Sequence, residues 1–273
     1  MGKEKEKRKD KETKKETRKN WKIGTWNIKS IQGKENELEE EFEELGLDIL
    51  VITETKKKGQ GITKLHNNNI LIFSGVKLNE RAAARVGCII YKELEEEIEE
   101  WQAWSERILT VAIKNKKKNI LKTIIIVYGP NENDTKDIKD KFWEKLSLAT
   151  EGSRGELYIA GDFNSRVGKK DKTYNTVIGD YGENTRNNNG KRMLDFCIFH
   201  NLIITNTFFE RKNIHKYTRE VKSRDEKSII DFILIERANR KMVLDTRVRR
   251  GPEIGSDHFL VVSKNIQKSK KIK

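Results

Sequence analysis

Apolar and polar positions change their spacing repeatedly along this chain, and each change predicts a secondary-structure element. Apolar residues alternate in WKIGTWNI, residues 21–28, and form a short run in DILVITET, residues 48–55, which predicts two strands. Between them, Leu38 and Phe42 recur at helical spacing. A strand, a helix and a second strand in this order predict a βαβ unit.

Apolar runs separated by short turns continue through the middle of the chain. We expect them to form successive antiparallel strands, the last of which stops at Gly129-Pro130 because proline cannot donate to a central ladder. Their residues are 69–75, 85–92, 96–104, 107–114 and 119–130. The remaining pattern predicts strands at 157–160, 228–236 and 258–264, and helices at 133–150 and 189–202.

The arrangement of these elements predicts the fold class. Residues 165–190 have no clear period and are rich in glycine and asparagine, so we expect a long surface loop there. With no internal repeat and no obvious linker, residues 21–263 are predicted to form one domain. Runs of strands with helices outside them predict an α+β fold, a four-layer α/β sandwich of two packed β-sheets flanked by helices.

Positive charge is concentrated at the two ends of the chain. The formal net charge is +14; residues 1–20 hold ten basic and five acidic side chains, and residues 264–273 hold five lysines and no acid. Such runs are typical of solvated, disordered tails, and equally of nucleic-acid binding or nuclear targeting. Both interpretations stay open for the two tails.

Cysteine usage and hydropathy indicate the compartment. Cys88 and Cys197 lie in apolar contexts, which predicts free buried thiols and a reducing environment. No apolar run reaches the length that crosses a bilayer, and no secretory signal peptide is visible. We therefore expect an intracellular protein without a membrane partner. The basic tails add the expectation of a nuclear location, and we expect the protein to be a monomer.

Polar residues end several of the predicted apolar strands. Any one of them is more often a turn residue, since Asn and Asp serve turns through their own hydrogen bonds. Asp231 differs, because an acid flanked by SII and FIL is expected to be buried and to need a partner. Several strands of a layered fold end at one rim, so the whole set could converge there. Its other members are Asn27, Glu54, Tyr128, Asn131, Asp162, Asn164, Asp257 and His258.

The residue types in this set fit metal-assisted hydrolysis of a phosphoester. Carboxylate and amide oxygens are hard ligands of the kind that Mg²⁺ takes. An imidazole beside a buried carboxylate is held in one orientation and favours its charged form. A further carboxylate with a neighbouring amide can orient the attacking water. The patterns GxxxxGK[ST], HExxH and GxSxG do not occur, which disfavours the enzyme classes that depend on them.

Six short motifs carry a resemblance to a known family. TWNI, ITET, VYGPN, GDFN, IIDFIL and GSDHF, in this order, resemble the endonuclease/exonuclease/phosphatase superfamily, which has the deoxyribonuclease I-like fold. The resemblance covers residues 21–263. The segment that begins GENTRNNNG resembles more closely the endonuclease domain of non-LTR, LINE-type retrotransposons and the craniofacial development protein 2-like proteins.

The resemblance implies a metal site and a phosphate contact. Glu54 would be the main ligand of Mg²⁺, with Mn²⁺ as the alternative cation, and Asn27 would lie beside it. Asp257 would complete the metal and phosphate environment. Tyr128 would contact the scissile phosphate.

The resemblance also implies how the attacking water and the developing charge are handled. Asp162 would orient or deprotonate the water, helped by Asn164, and which of the two Asp162 does stays open. His258, paired with Asp231, would stabilise charge on a phosphate oxygen. Members of the superfamily cleave a DNA strand to leave a 3′-hydroxyl, which implies DNA as the partner and a nicking endonuclease as the activity.

The sequence departs from some subfamilies at specific positions. Abasic-site endonucleases commonly have an acid two residues after the first Asn, where this chain has Lys29, and Gln before the metal Glu, where it has Thr53. Both differences weaken an abasic-site interpretation. Many members carry a Thr-Trp pair where this chain has Tyr217-Thr218-Arg219, a change that would alter DNA contacts.

Further residues are candidate contacts to nucleic acid, although a solvated surface explains the basic ones equally well. They are Asn131, Lys169, Lys170, Arg186 and Arg219. Because the chain ends shortly after the domain, we expect a stand-alone nuclease, a truncated copy, or part of a longer polyprotein with a reverse transcriptase.

Two other functions stay open beside a DNA endonuclease. A phosphatase, sphingomyelinase or RNA deadenylase shares the same catalytic motifs, although the retrotransposon-like segment disfavours these. A copy without catalysis could still bind nucleic acid through its tails, but every candidate catalytic residue is retained.

Overall fold

Strands with apolar residues on both faces build the protein. The computed structural model describes residues 20–75 and 85–267. The predicted basic tails lie outside these residues, apart from Asn20 and a few positions after 263 that continue the first and last strands. No helix in the described part of the chain is long and apolar enough to cross a membrane.

Seven strands form the first sheet. They are β1 (Asn20–Asn27), β2 (Ile49–Thr53), β3 (Gly61–Lys64), β4 (Ile70–Ser74), β5 (Val86–Ile90), β14 (Val243–Val248) and β15 (Val261–Ile266). Their order across the sheet is β14-β15-β1-β2-β5-β4-β3. The pair β1 and β2 is parallel, as the predicted βαβ unit requires, and the other pairs are antiparallel.

Six strands form the second sheet. They are β6 (Ile98–Ser105), β7 (Ile108–Asn115), β8 (Ile120–Tyr128), β9 (Glu156–Asp162), β10 (Leu202–Ile204) and β13 (Asp231–Glu236). Their order is β10-β13-β9-β8-β7-β6, with β8 and β9 parallel. A separate antiparallel hairpin is formed by β11 (Arg219–Val221) and β12 (Glu226–Ser228).

Helices cover the outer face of each sheet. The α-helices are α1 (Glu35–Glu44), α2 (Lys136–Glu151) and α3 (Asn188–Phe199). Short 3₁₀ turns occur at Lys92–Glu97, Thr205–Phe208, Asn213–His215, Lys222–Arg224 and Arg237–Met242. Helix α1 packs on the first sheet, and α2 and α3 pack on the second.

Strand β2 shows why the layers form. Its alternate residues Ile49 and Val51 face the core between the sheets, whereas Leu50 and Ile52 pack with α1. All four are fully buried. The result is the predicted α+β fold, a four-layer α/β sandwich, and this prediction is confirmed.

One local prediction about the strands is wrong. The pattern predicts a single antiparallel run through residues 85–92 and 96–104, but β5 and β6 belong to different sheets. The turn Lys92–Glu97 carries the chain from one sheet to the other. Within a single antiparallel sheet the same apolar pattern would arise, so the pattern alone does not separate the two cases.

The segment 165–190 is not simply a surface loop. Val167, Tyr174 and Ile178 are buried against the outer face of the second sheet, and α3 begins at Asn188. Isolated apolar residues in an irregular backbone have no period, which is why the sequence pattern missed their burial. The segment therefore acts as part of the outer layer.

Candidate active site at the open end of the two sheets

Three polar side chains form a row across the second sheet. Asp162 in β9 is paired in register with Tyr128 in β8 on one side and with Asp231 in β13 on the other. Side chains two positions apart share a face, and the apolar residues on that face fill the core between the sheets. Those neighbours are Ile126, Ala160 and Ile233. The row therefore closes the inter-sheet core at its polar end.

The first sheet contributes Asn27 and Glu54 from the opposite side. Asn27 ends β1 and is paired with Thr53 at the end of β2. Simple alternation would direct Glu54 away from the second sheet. The backbone of Glu54 instead has φ of 54°, a left-handed conformation that is unusual for a residue other than glycine. This departure is consistent with its side chain reaching the second sheet.

Hydrogen bonds join the two sheets at this point. The Asn27 amide nitrogen donates to Glu54 Oε1 at 2.9 Å and to Asp162 Oδ2 at 3.0 Å. The Tyr128 hydroxyl donates to Glu54 Oε1 at 3.1 Å. Burial, together with the negative charges of Asp162 and Glu54, raises the pKa of Tyr128 well above its usual range, so the phenol is a donor.

His258 bridges the two buried acids of the row. Its Nδ1 donates to Asp231 Oδ2 at 2.9 Å, and its Nε2 lies 3.9 Å from Asp162 Oδ2. Burial would lower the pKa of His258, but the charges of Asp231, Asp162 and Asp257 outweigh it and raise the pKa to about 9. The imidazole is therefore a cation at neutral pH.

Local contacts hold His258 in place. The Ser256 hydroxyl donates to the Asn27 carbonyl at 2.7 Å and accepts from the His258 N–H at 3.1 Å. The Trp26 indole donates to the His258 carbonyl at 3.0 Å. These bonds tie the segment before β15 to the end of β1 and place the imidazole over the row.

Asp162 is the carboxylate with the most unusual environment. Burial and the charge of Asp231 raise its pKa to about 7, although His258, Asn27 and the Asn164 N–H work in the other direction. The Asn164 N–H donates to Asp162 Oδ1 at 2.9 Å, and the Asn164 side chain donates to the Gly129 carbonyl at 3.0 Å. Asp162 therefore holds a proton more readily than an exposed aspartate does.

Asp257 lies among three cationic side chains. Its Oδ1 is 2.8 Å from Lys29 Nζ and 3.8 Å from His258 Nε2, and its Oδ2 is 3.1 Å from Arg219 Nε. Burial would raise the pKa of Asp257, but the bond from Lys29 and the charges of His258 and Arg219 lower it. The carboxylate is already balanced by cationic side chains.

Two groups of side chains could hold a cation. Ligand atoms of Asp162, Asp231 and His258 all lie within 4.8 Å of one another. That position is disfavoured, because His258 already bonds Asp231 through Nδ1 and is protonated. Glu54 fits a hard cation better: it is half-buried at the mouth of the site, and its Oε2 accepts no hydrogen bond from any described residue.

Asn27 lies beside Glu54, where the resemblance places it. Its amide nitrogen faces the carboxylates, and its Oδ1 accepts from the Lys29 N–H at 3.2 Å. In this arrangement the amide nitrogen of Asn27 links Glu54 to Asp162.

Three of the five predicted nucleic-acid contacts lie in the segment 165–190, and their surroundings differ from one another. Lys169 is exposed, and Lys170 pairs with Asp180 at 3.0 Å. Arg186 is engaged within its own segment, where it bonds Asp171 and the carbonyls of Val167 and Lys169.

The other two predicted contacts are nearer to the candidate site: Asn131 follows Tyr128 by three residues, and Arg219 contacts Asp257. Asn131 is exposed, and its N–H donates to Asp134 at 2.8 Å. Arg219 joins the site itself through Asp257. Of the five candidates, Arg219 is the one whose contact with the site is direct.

Sequence reasoning missed two supporting residues. The buried Thr218 hydroxyl accepts from the N–H groups of Ile230 and Asp231 at 3.0 and 3.1 Å. The Arg107 guanidinium donates to the carbonyls of Tyr128 and Gly129 at 3.3 and 3.1 Å. Neither residue ends an apolar strand, so the apolar pattern gives no signal for either of them.

The chain is similar to known nucleases and to one group of vertebrate proteins. The family model described as endonuclease-reverse transcriptase matches residues 122–262. Craniofacial development protein 2 of Bos taurus is 29% identical over 245 residues, which is 89% of this chain and 40% of that protein. The chain thus spans well under half the length of this relative.

Solved structures share the fold at low sequence identity. An AP endonuclease from Archaeoglobus fulgidus superimposes with a TM-score of 0.67 at 18% identity, covering 89% of this chain and 98% of that one. The endonuclease domain of TRAS1, a telomere-specific non-LTR retrotransposon, gives 0.61 at 14% identity, covering 91% and 100%. These likenesses establish the deoxyribonuclease I-like fold predicted from the motifs.

Proposed function

Because the chain belongs to the endonuclease-reverse transcriptase family, we propose that it is a divalent-metal-dependent endonuclease that nicks one strand of DNA and leaves a 3′-hydroxyl. The observation that carries this proposal is the buried Asp231–His258–Asp162 arrangement, joined through Asn27 to Glu54. Phosphodiester hydrolysis needs a group that stabilises negative charge, a base for the attacking water and a ligand for a metal ion. The His258 imidazolium, the Asp162 carboxylate and Glu54 Oε2 are groups of these three kinds.

Glu54 would hold the cation, Mg²⁺ or Mn²⁺. When bound, such an ion supplies Lewis-acid stabilisation of negative charge on the phosphate. Asn27 and Tyr128 orient Glu54 by donating to its Oε1, and its Oε2 would be available to the ion. The hard carboxylate oxygen of Glu54 suits these ions and disfavours softer ones.

Asp162 would act on the attacking water. Its pKa of about 7 lies near neutral pH, where a general base is most effective. The Asn164 N–H bonded to Oδ1 fixes the carboxylate, so the proton would be taken by a group that is already aligned.

His258 would stabilise the charge that develops on the phosphate. Asp231 fixes the ring through Nδ1 and keeps it protonated, so Nε2–H remains available to an oxygen of the substrate. Tyr128, as a neutral phenol, would contact the same phosphate once its bond to Glu54 opens.

Nicking of supercoiled plasmid tests this function. The wild-type protein with Mg²⁺ or Mn²⁺ is expected to convert supercoiled to open-circular DNA, and chelation should abolish the conversion. Glu54→Ala and His258→Ala should each lose at least about a hundredfold in rate, the typical cost of one transition-state contact. Lys141 is exposed on α2 and is not part of the polar row. Lys141→Met, which also removes one positive charge, should therefore nick at the wild-type rate.

The chemistry of the nicked ends and the activity of the two variants test the proposal further. The nicked ends should be extended by a DNA polymerase, which requires a 3′-hydroxyl. Unchanged nicking in either Glu54→Ala or His258→Ala would contradict the assigned roles.

A further inference from the structure

Lys29 is a cation at the mouth of the candidate site that the assigned roles do not use. Its ammonium lies 2.8 Å from Asp257 Oδ1, and its side chain is 44% exposed. The backbone of Lys29 has φ of 56°, and its N–H donates to Asn27 Oδ1 at 3.2 Å. A left-handed non-glycine residue costs free energy, and such residues cluster at functional sites.

The surroundings of Asp257 leave little scope for a second metal ion. One carboxylate oxygen forms an ion pair with Lys29 and faces His258, and the other accepts a hydrogen bond from Arg219. A divalent ion placed on Asp257 would stand within a few ångströms of these cations and be repelled by them. The predicted role of Asp257 as a metal ligand therefore conflicts with its neighbours.

The ammonium of Lys29 has donors to spare. An ammonium group has three N–H donors, and among the described residues the Lys29 ammonium forms an ion pair only with Asp257. A cavity of about 610 Å³ opens beside it and is also lined by Trp26, Asp257, His258 and Phe259. A substrate phosphate that approaches His258 would therefore pass within reach of Lys29.

We propose that Lys29 is a built-in cation that binds the substrate phosphate, and that the site takes a single divalent ion, at Glu54. This inference rests on the proposed nuclease function. Asp257 then serves to hold the ammonium in place, with Arg219 balancing its second oxygen. The other possibility is that Lys29 only neutralises Asp257 and never meets the phosphate.

Metal stoichiometry separates the single-ion site from a two-ion site without any catalysis. Titration of the protein with Mn²⁺, followed calorimetrically and by electron paramagnetic resonance of free Mn²⁺, should give one ion per chain. Lys29→Met should keep one ion, whereas Glu54→Ala should lose it. Two ions per chain, with Asp257→Asn removing one of them, would overturn the proposal.

Binding of thymidine 5′-monophosphate, which carries the 5′-phosphate expected of the product, tests the contact directly. With Mn²⁺ present, Lys29→Met should weaken binding by about tenfold, the cost of roughly one lost charged hydrogen bond. Lys29→Arg should restore most of it, and Lys141→Met should bind like the wild type. Equal binding by wild type and Lys29→Met would refute the contact and leave Lys29 as a structural partner of Asp257.

Plasmid nicking completes the comparison. Lys29→Met is expected to nick about a hundredfold more slowly, as for other groups that meet charge in a transition state, while Lys29→Arg recovers. Nicking by Lys29→Met within twofold of the wild type would also count against the proposal. If the wild type nicks no DNA but binds one Mn²⁺ and loses nucleotide affinity in Lys29→Met, the proposed function fails and the assignment of Lys29 stands.

Discussion

Asp162 and Asp231 are directly paired across neighbouring antiparallel strands, and both carboxylates are almost fully buried. Like charges at such a position are destabilising unless a third group compensates. His258 does so, since its Nδ1 bonds Asp231 and its Nε2 faces Asp162. The imidazolium is therefore part of the folded core as well as of the candidate site.

Replacing His258 should destabilise the protein. His258→Gln leaves two buried acids without a cation between them, and we expect the free energy of unfolding at pH 7 to fall by about 3 kcal/mol. Urea unfolding followed by tryptophan fluorescence measures this. Adding Asp162→Asn to His258→Gln removes one of the two acids and should recover part of the loss. A double variant less stable than His258→Gln would contradict this electrostatic account.

The stability of the metal-free protein should decrease between pH 6.5 and pH 9. The folded pKa of His258, about 9, is raised above its unfolded value of 6.5. Its contribution is therefore fully present below pH 6.5 and is lost as the pH rises through 9. The change should be on the order of 1–3 kcal/mol. Urea unfolding at pH 6.5 and pH 9.5 should show it, and His258→Gln should flatten the difference.

Gly161 should not tolerate a side chain. A Cβ at this position would lie 1.8 Å from the Val127 carbonyl oxygen, and its φ of 154° strains any other residue. Gly161→Ala should cost about 3 kcal/mol or more and displace Asp162, its neighbour in the chain. Gly152→Ala is the matched control, because a Cβ there meets nothing closer than 3.5 Å. Thermal unfolding of the two variants should differ clearly; similar midpoints would show that β9 can move away from β8.

Thr218 should support Asp231 through its hydroxyl. Thr218→Val removes the acceptor of two buried N–H groups, and we expect a loss of about 2 kcal/mol. Thr25→Val is a close control, since the buried Thr25 hydroxyl has no hydrogen-bond partner within the described residues and its loss should be neutral or stabilising. Chemical denaturation measures both. Equal effects in the two variants would mean that the hydroxyl of Thr218 does not contribute to stability.

The strand pattern was sufficient to find most of the candidate site. Tyr128 and Asp162 each end a long apolar run, and parallel neighbours such as β8 and β9 end at the same edge of a sheet. Asp231 stood out because a charge inside an apolar run must find a partner. These inferences need only the period of a strand and the cost of burying a polar group, and both are local properties of the sequence.

Contacts between distant segments were decided by the tertiary structure alone. The local sequence pattern does not reveal that Glu54 departs from strand alternation or that the Asn27 amide nitrogen donates to two carboxylates. Nor does it reveal that Lys29 and Arg219 balance the charge of Asp257. The burial of Val167 and Tyr174 in an irregular segment was equally hidden. Periodicity reports which face of an element is apolar, whereas the charge state and partners of a side chain depend on which residues the packing of two sheets brings within a few ångströms.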